Sequence, residues 1–249
     1  MTARLLVVTA VGAEAEAVRA GCTTDEPAAV RVHVEAVGVG PTMAAAGTAR
    51  LLALAEAAGT PYRAVVSAGI GGGFPGRAPV GATVIGVRSV AAELGAETPD
   101  GFLPIDELGF GTSLIRADEA LARALIQALD PAPIGTLSAE PPGAVAGKPI
   151  VGDILTLSTV TGSTATAAAL AAQFPAAVAE AMEGYGVACA AAGAAVPFVE
   201  LRAISNLIGP RDRAAWRIPE ALRALTAAAR AFPTLITGPD LSRRPTDAA

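Results

Sequence analysis

Glu180-Ala181-Met182-Glu183-Gly184-Tyr185 stands a short way before Val196-Pro197-Phe198-Val199-Glu200-Leu201-Arg202-Ala203-Ile204-Ser205-Asn206, and a run of small residues joins the two. Val178 to Met182 reads as a short strand, Gly186 to Gly193 as a helix, and Val196 to Ser205 as a buried strand. The stretch sets a carboxylate just ahead of a small-residue helix and then runs into a strand that ends in polar groups. Open α/β sheets carry their chemistry at strand ends, so this one segment predicts both the fold class and the place to look for a site.

The same alternation extends outward. Arg4 to Val11, Val30 to Val37, Tyr62 to Ala68, Ala82 to Ala92 and Ile150 to Ser158 read as strands. Helices are expected over Ala13 to Ala20, from Pro41 to near Gly59, and over Ala117 to Leu129, Ser163 to Gln173 and Pro219 to Phe232. Pro41 suits a first helical turn, where its missing N–H is not needed. Strands alternating with helices predict a three-layer α/β sandwich around a largely parallel sheet. No helix separates the strands at Tyr62 and Ala82, so the sheet is expected to be mixed. No linker divides the chain. Residues 1–232 are read as one domain, and the Pro-, Gly-, Ser-, Asp- and Arg-rich 233–249 as a mobile tail.

Composition narrows the function classes. The chain is 52% apolar but only 4% aromatic, which predicts a core of Ala, Val and Leu with close helix–sheet packing. A net charge of −5 without a basic cluster argues against nucleic acid as partner. The longest apolar run, Gly186 to Phe198, is too short to span a bilayer and contains Pro197, so no membrane partner is expected. Glu14 and Glu16 come too early for a signal-peptide core. Cys22 and Cys189 lack C-x-x-C spacing, which predicts neither a disulfide framework nor a zinc site. His33, the only histidine, alternates with Val32 and Val34 as a strand side chain would, which disfavours a Ser-His-Asp mechanism. The composition predicts a soluble cytoplasmic protein.

Several residues have both an ordinary and a chemical reading. Gly69-Ile70-Gly71-Gly72-Gly73 looks like a phosphate loop, but it lacks the Walker Lys-Ser/Thr. It continues through Phe74-Pro75-Gly76 as a loop rather than a helix, which disfavours dinucleotide binding. Arg202 lies in an otherwise apolar strand and must have an anionic partner, with Glu14 or Glu183 the candidates. Asn206 would ordinarily cap a turn, and Glu14 and Glu183 would ordinarily sit in first helical turns. Gly209 to Arg217, with Arg211, Arg213 and the chain's one tryptophan, Trp216, would ordinarily be a solvated loop.

Met182-Glu183 together with Arg202-Ala203-Ile204-Ser205-Asn206 resembles the purine nucleoside phosphorylase and nucleosidase superfamily, and within it the futalosine hydrolases. The resemblance covers roughly Arg4 to Phe232. It implies that Glu183 accepts from the ribose 2′- and 3′-hydroxyls, with Met182 alongside the sugar. It also implies that Glu14 helps hold the attacking water, with Glu16 the competitor one turn away, and that Arg202 positions the same water. Gly69, Ile70 and Gly71 would pass along the ribose and nucleophile. Val151-Gly152-Asp153-Ile154-Leu155 is similar to the family's Ser-Gly-Asp segment, placing Asp153 and Leu155 against the purine, Leu155 where a stacking Phe is common.

Adenine-cleaving members carry Asp where this chain has Asn206. An Asn amide can donate to a purine N7 and a 6-oxo oxygen, where a carboxylate would put acceptors together, so hypoxanthine is the expected base. Futalosine carries a benzoate on its 5′ side, and the expectation is that Arg211 or Arg213 binds it while Trp216 packs on the ring. The resemblance thus implies hydrolysis of futalosine to hypoxanthine and dehypoxanthine futalosine, a step of menaquinone biosynthesis, with nucleoside and water as partners and no cofactor or metal. It further implies a homo-oligomer, dimer or larger, in which a neighbour's loop completes the 5′ pocket; Pro99 to Gly111, with Phe102 and Phe110, is the candidate for that loop, with simple core packing the alternative. The alternatives are a methylthioadenosine/S-adenosylhomocysteine or aminodeoxyfutalosine nucleosidase, a 6-oxopurine nucleoside phosphorylase, and a nucleoside sensor without turnover.

Overall fold

Leu5 and Val7 pack into one hydrophobic cluster and Leu6 and Val8 into another, so the first strand is buried on both faces. Side chains alternate across a strand, and such a strand belongs in a sheet covered by helices on both sides. The computed structural model describes residues 3–22, 30–99, 101–130 and 148–236. In chain order these form β1 (Ala3–Thr9), α1 (Gly12–Gly21), β2 (Val30–Ala36), α2 (Pro41–Ala57), β3 (Ala64–Gly73) and β4 (Thr83–Ala91). Then come β5 (Gly95–Thr98), β6 (Gly101–Pro104), α3 (Ile105–Leu108), β7 (Leu114–Arg116), α4 (Glu119–Leu129) and β8 (Ile150–Thr156). The rest are α5 (Thr164–Gln173), β9 (Ala177–Ala181), α6 (Gly184–Gly193), β10 (Phe198–Leu207) and α7 (Ile218–Ala229).

The sheet runs β2-β1-β3-β10-β4-β8-β9, and β9 returns to pair with β3. Pairings are parallel from β2 through β10 and again from β4 to β9, while β10–β4 and β3–β9 are antiparallel. The expected mixed α/β sheet is therefore present, curled so that five strands close on one another. Length makes this closure possible. The first half of β3 pairs with β1 through Ala64 to Ser67, and its end pairs with β9 through Gly72 and Gly73. Helices α1, α4 and α7 cover one face through Val18, Leu121 and Leu225, and α2 with α6 cover the other through Leu52 and Val187. A Cβ on Gly186 would fall 2.1 Å from the Pro41 carbonyl oxygen, so the small-residue composition of α6 is what lets α2 approach.

Two expectations change. Gly69 to Gly73 is not a turn but the second half of β3. Its glycines are needed there because a Cβ at Gly71 would meet the Glu180 carbonyl oxygen at 2.8 Å, and one at Gly73 would meet the Ala78 carbonyl oxygen at 2.1 Å. Within 99–111, the described residues form part of a hairpin and a short helix. Phe102 is partly buried there while Phe110 is 81% exposed. Residues 233–236, assigned by composition to the tail, pack inward with Leu235 and Ile236 buried. The remainder of that tail, 237–249, lies outside the described residues.

Candidate active site

The ends of β1, β3, β9 and β10 surround a cavity of about 210 Å³, with Trp216 in its lining. Glu14 lies on its wall and is 3% exposed. Because α1 begins right after β1, the Glu14 carboxylate turns back to accept from the N–H groups of Ala10 (2.9 Å) and Val11 (3.2 Å). Its other oxygen accepts from the N–H of Ile70 at 2.8 Å. Burial pushes its pKa above the usual 4.5, against the lowering effect of the Ile70 hydrogen bond and of Arg202. Glu16 is exposed, so the structure brings Glu14 rather than its competitor to the cavity.

Glu183 lines the same cavity from the N-cap of α6. One oxygen accepts from the Gly40 N–H at 3.3 Å, and the other accepts from Met182 N–H at 3.3 Å and pairs with Arg202 Nη1 at 3.2 Å. Gly40 has φ +90°, a conformation glycine adopts without the cost other residues incur. Met182, Ile70 and Gly71 also line the cavity.

Arg202 is 1% exposed and stands behind this wall rather than on it. Its guanidinium pairs with Glu183, donates through Nε to Glu200 at 3.0 Å, and donates through Nη2 to Ser67 Oγ at 3.1 Å. A Cβ at Gly69 would lie 2.6 Å from Arg202 Nη1 and 2.7 Å from Glu14 Oε1, so Gly69 supplies the space in which the two side chains meet. Arg202, expected to help position the attacking water, reaches the cavity through its carboxylate partners. Three carboxylates share this one guanidinium, and burial raises the pKa of Glu200 as it does that of Glu14. Glu200, fully buried and also hydrogen-bonded to the Ser89 hydroxyl, was missed as a partner of Arg202. The signal was present, since residues two apart on a strand share a face.

Asn206 lines the opposite end and is 8% exposed. Its Oδ1 accepts from Ser205 Oγ at 2.8 Å and its Nδ2 donates to the Leu207 carbonyl at 3.0 Å. Flipping the amide would set two acceptors against each other at Leu207, which fixes the assignment. With one hydrogen so engaged, one N–H remains for a ligand, where the bare amide would offer two.

Asp153 and Leu155 are not brought to the cavity. Asp153 makes a bidentate ion pair with Arg88, both contacts at 2.6 Å, and Leu155 is buried in a cluster with Phe74. Thr159 and Val160 take the place expected of them, because the chain reaches the cavity only after β8 ends at Thr156. Trp216 lines the cavity, but Arg211 and Arg213 are exposed and do not. Glu180, a lining residue that accepts from both the N–H and the hydroxyl of Thr161, was also missed. A larger opening near Arg4, Arg31, His33 and Arg63 lies at the starts of β1 and β2, away from these carboxylates. The cavity at the strand ends holds the groups that can do chemistry.

Residues 7–237 match the profile of the phosphorylase superfamily. A futalosine hydrolase of Streptomyces coelicolor is 51% identical over 236 residues, covering 90% of this chain and 92% of that protein. The futalosine hydrolase of Thermus thermophilus is 35% identical over 214 residues, covering 86% of this chain and 84% of that one. Among solved structures, a 5′-methylthioadenosine/S-adenosylhomocysteine nucleosidase from Colwellia psychrerythraea, in complex with adenine, is similar with a TM-score of 0.72 and 21% identity, covering 94% and 95% of the two chains. The native futalosine hydrolase of Helicobacter pylori gives a TM-score of 0.72 at 16% identity, covering 95% and 98%. At these identities the structural likeness speaks for the fold.

Proposed function

This chain belongs to the phosphorylase superfamily and within it to the futalosine hydrolases, and from that premise we propose that it cleaves futalosine to hypoxanthine and dehypoxanthine futalosine, a step of menaquinone biosynthesis. The observation that carries the reading is the meeting of Glu14, Glu183 and Asn206 on one cavity. Glu183 accepts from the ribose diol, and its charge stabilises the oxocarbenium ion that forms as the C1′–N9 bond breaks. The bonding pair leaves with the purine as an anion, whose N7 accepts a hydrogen bond from the free N–H of Asn206. Water bonds to C1′ and gives a proton to Glu14, which passes it through solvent to the released purine anion. Arg202 is a positioning residue here, holding Glu183 in place.

Water rather than phosphate is the nucleophile in this reading. Among the described residues that line the cavity, Glu14, Glu180 and Glu183 are acidic and none is Arg or Lys, so a phosphate dianion would meet like charge. Trp216 is the platform for the aromatic ring of the 5′ substituent, and Arg211 or Arg213, on the adjoining exposed loop, binds its carboxylate. The reading includes a homo-oligomer whose neighbouring copy covers the 81% exposed Phe110, which gel filtration with light scattering tests. Among the described residues no helix is long and apolar enough to cross a membrane.

The test of function is base release, followed by chromatography, from futalosine, aminodeoxyfutalosine, methylthioadenosine and inosine, with and without phosphate. Hypoxanthine release from futalosine without phosphate is expected. Preferential adenine release would overturn the reading of Asn206, and phosphate dependence would make the protein a phosphorylase.

A further inference from the structure

Gly72 sits at the middle of a three-strand ladder, paired with Glu180 of β9 on one edge and with Asn206 of β10 on the other. A Cβ at Gly72 would stand 3.4 Å from Asn206 Nδ2 and 3.4 Å from Glu180 Cγ. Both side chains therefore lie over the same face of the glycine, and both line the cavity. The two atoms are therefore no more than twice that distance apart, close enough for the edge of one planar ring to reach both groups at once.

The two groups present opposite hydrogen-bonding characters. Asn206 offers its remaining N–H, since its other hydrogen is taken by Leu207. Glu180 offers carboxylate oxygens. Each accepts one hydrogen bond from Thr161, one from the backbone N–H at 2.8 Å and one from the hydroxyl, and each retains a lone pair. Burial raises the Glu180 pKa, and the two Thr161 donors oppose that push.

The edge of a 6-oxopurine reads acceptor at N7, acceptor at O6 and donor at the N1–H, whereas a 6-aminopurine has a bare acceptor at N1. We infer that Glu180 is a specificity-determining residue, its carboxylate accepting the N1–H of a 6-oxopurine while Asn206 donates its one free N–H to N7. The inference rests on the proposed function for the identity of the base. It adds a selectivity element that Asn206 alone does not supply. A carboxylate facing the unprotonated N1 of adenine leaves two acceptors in contact inside a buried site, and unpaired buried groups are what make such sites reject an analogue.

Glu180→Gln tests it. Thr161 N–H holds the amide oxygen on its own side, so the new NH2 replaces an acceptor with a donor. The expected result is a fall of roughly 10–100-fold in kcat/KM for futalosine, the worth of one hydrogen bond to a charged group. Aminodeoxyfutalosine should lose nothing or gain, so that the ratio between the two substrates moves. Equal losses on both substrates would mean that Glu180 only supports Thr161, and an unchanged ratio would likewise overturn the inference. A second measurement needs neither a variant nor turnover: binding of hypoxanthine against N1-methylhypoxanthine to the unaltered protein by calorimetry. At least tenfold weaker binding of the methylated base is expected, and equal binding would overturn the inference. If the unaltered protein releases no hypoxanthine from futalosine, the proposed function fails, and the binding comparison still decides the role of Glu180.

Discussion

The two ends of the cavity handle charge in opposite ways. At the end proposed to hold the ribose, Glu14, Glu183 and Glu200 crowd one guanidinium, and each position is fixed by backbone N–H groups, hydroxyls or ion pairs. At the end proposed to hold the base, a neutral amide and one carboxylate lie over Gly72, held by short-range hydrogen bonds to Ser205, Leu207 and Thr161. The first arrangement concentrates field where positive charge develops in a transition state. The second presents a pattern of donors and acceptors to a ring. The difference predicts that variants at the ribose end lower turnover of every nucleoside alike, while those at the base end change which nucleoside is preferred.

Arg202→Met breaks the first region most severely. It leaves three buried carboxylates without their cation, and losing one partner of a buried pair costs about 3–5 kcal/mol. We expect loss of turnover together with a lowered melting temperature. A variant that keeps its melting temperature would mean the guanidinium contributes little to folding.

Glu14→Gln should lower kcat by about 10²–10⁴-fold for all nucleosides while the fold persists, the range typical of a positioned proton acceptor. Its pH behaviour follows from burial. The Glu14 pKa lies above the usual 4.5, so in the unaltered enzyme kcat/KM should fall on acidification through a pKa above that value, and Glu14→Gln should remove the limb. Stability responds with the opposite sense. For Glu14 and Glu200 the folded pKa exceeds the unfolded one, so their contribution is complete below about 4.5 and is lost as pH rises through the raised values. Thermal melts of the unaltered protein and of Glu14→Gln across pH 4.5–8 should differ in slope accordingly.

Asn206→Asp should shift the ratio of futalosine to aminodeoxyfutalosine turnover by roughly 10–100-fold toward the 6-amino substrate. Smaller still is the expected effect of Arg211→Ala and Arg213→Ala. At an exposed position either substitution should raise KM for futalosine by no more than about tenfold, with kcat and the KM for inosine unchanged. Asp153→Asn should leave kinetics unaltered and lower stability by about 1 kcal/mol, because its partner Arg88 is partly exposed.

The strands, helices and mixed sheet were legible because buried strands and alanine-rich helices repeat with distinct periods, and because glycines and prolines mark their ends. Glu183 and Asn206 stood out through the resemblance of Met182-Glu183 and Arg202 to Asn206 to the nucleosidases, since alone they read as a helix-start carboxylate and a turn cap. Arg202 was legible as a charge in an apolar strand, yet its nearest partner in sequence, Glu200, was passed over for more distant acids. Glu180 was hidden because its role depends on β9 folding back onto the end of β3, a pairing that no local pattern announces. The glycine run misled for the same reason: 69–73 reads as a turn until the atoms that occupy its missing Cβ positions are seen. Asp153 and Leu155 misled because a short motif matched in sequence before β8 had run its length.

The comparison of the two ends is tested most directly by one ratio, kcat/KM for futalosine over that for aminodeoxyfutalosine, in Glu14→Gln and in Asn206→Asp. The account predicts that Glu14→Gln slows both substrates together and leaves the ratio within about twofold, while Asn206→Asp moves it by at least tenfold. A ratio that moves in Glu14→Gln and stays fixed in Asn206→Asp would contradict the division of the cavity into a reacting end and a selecting end.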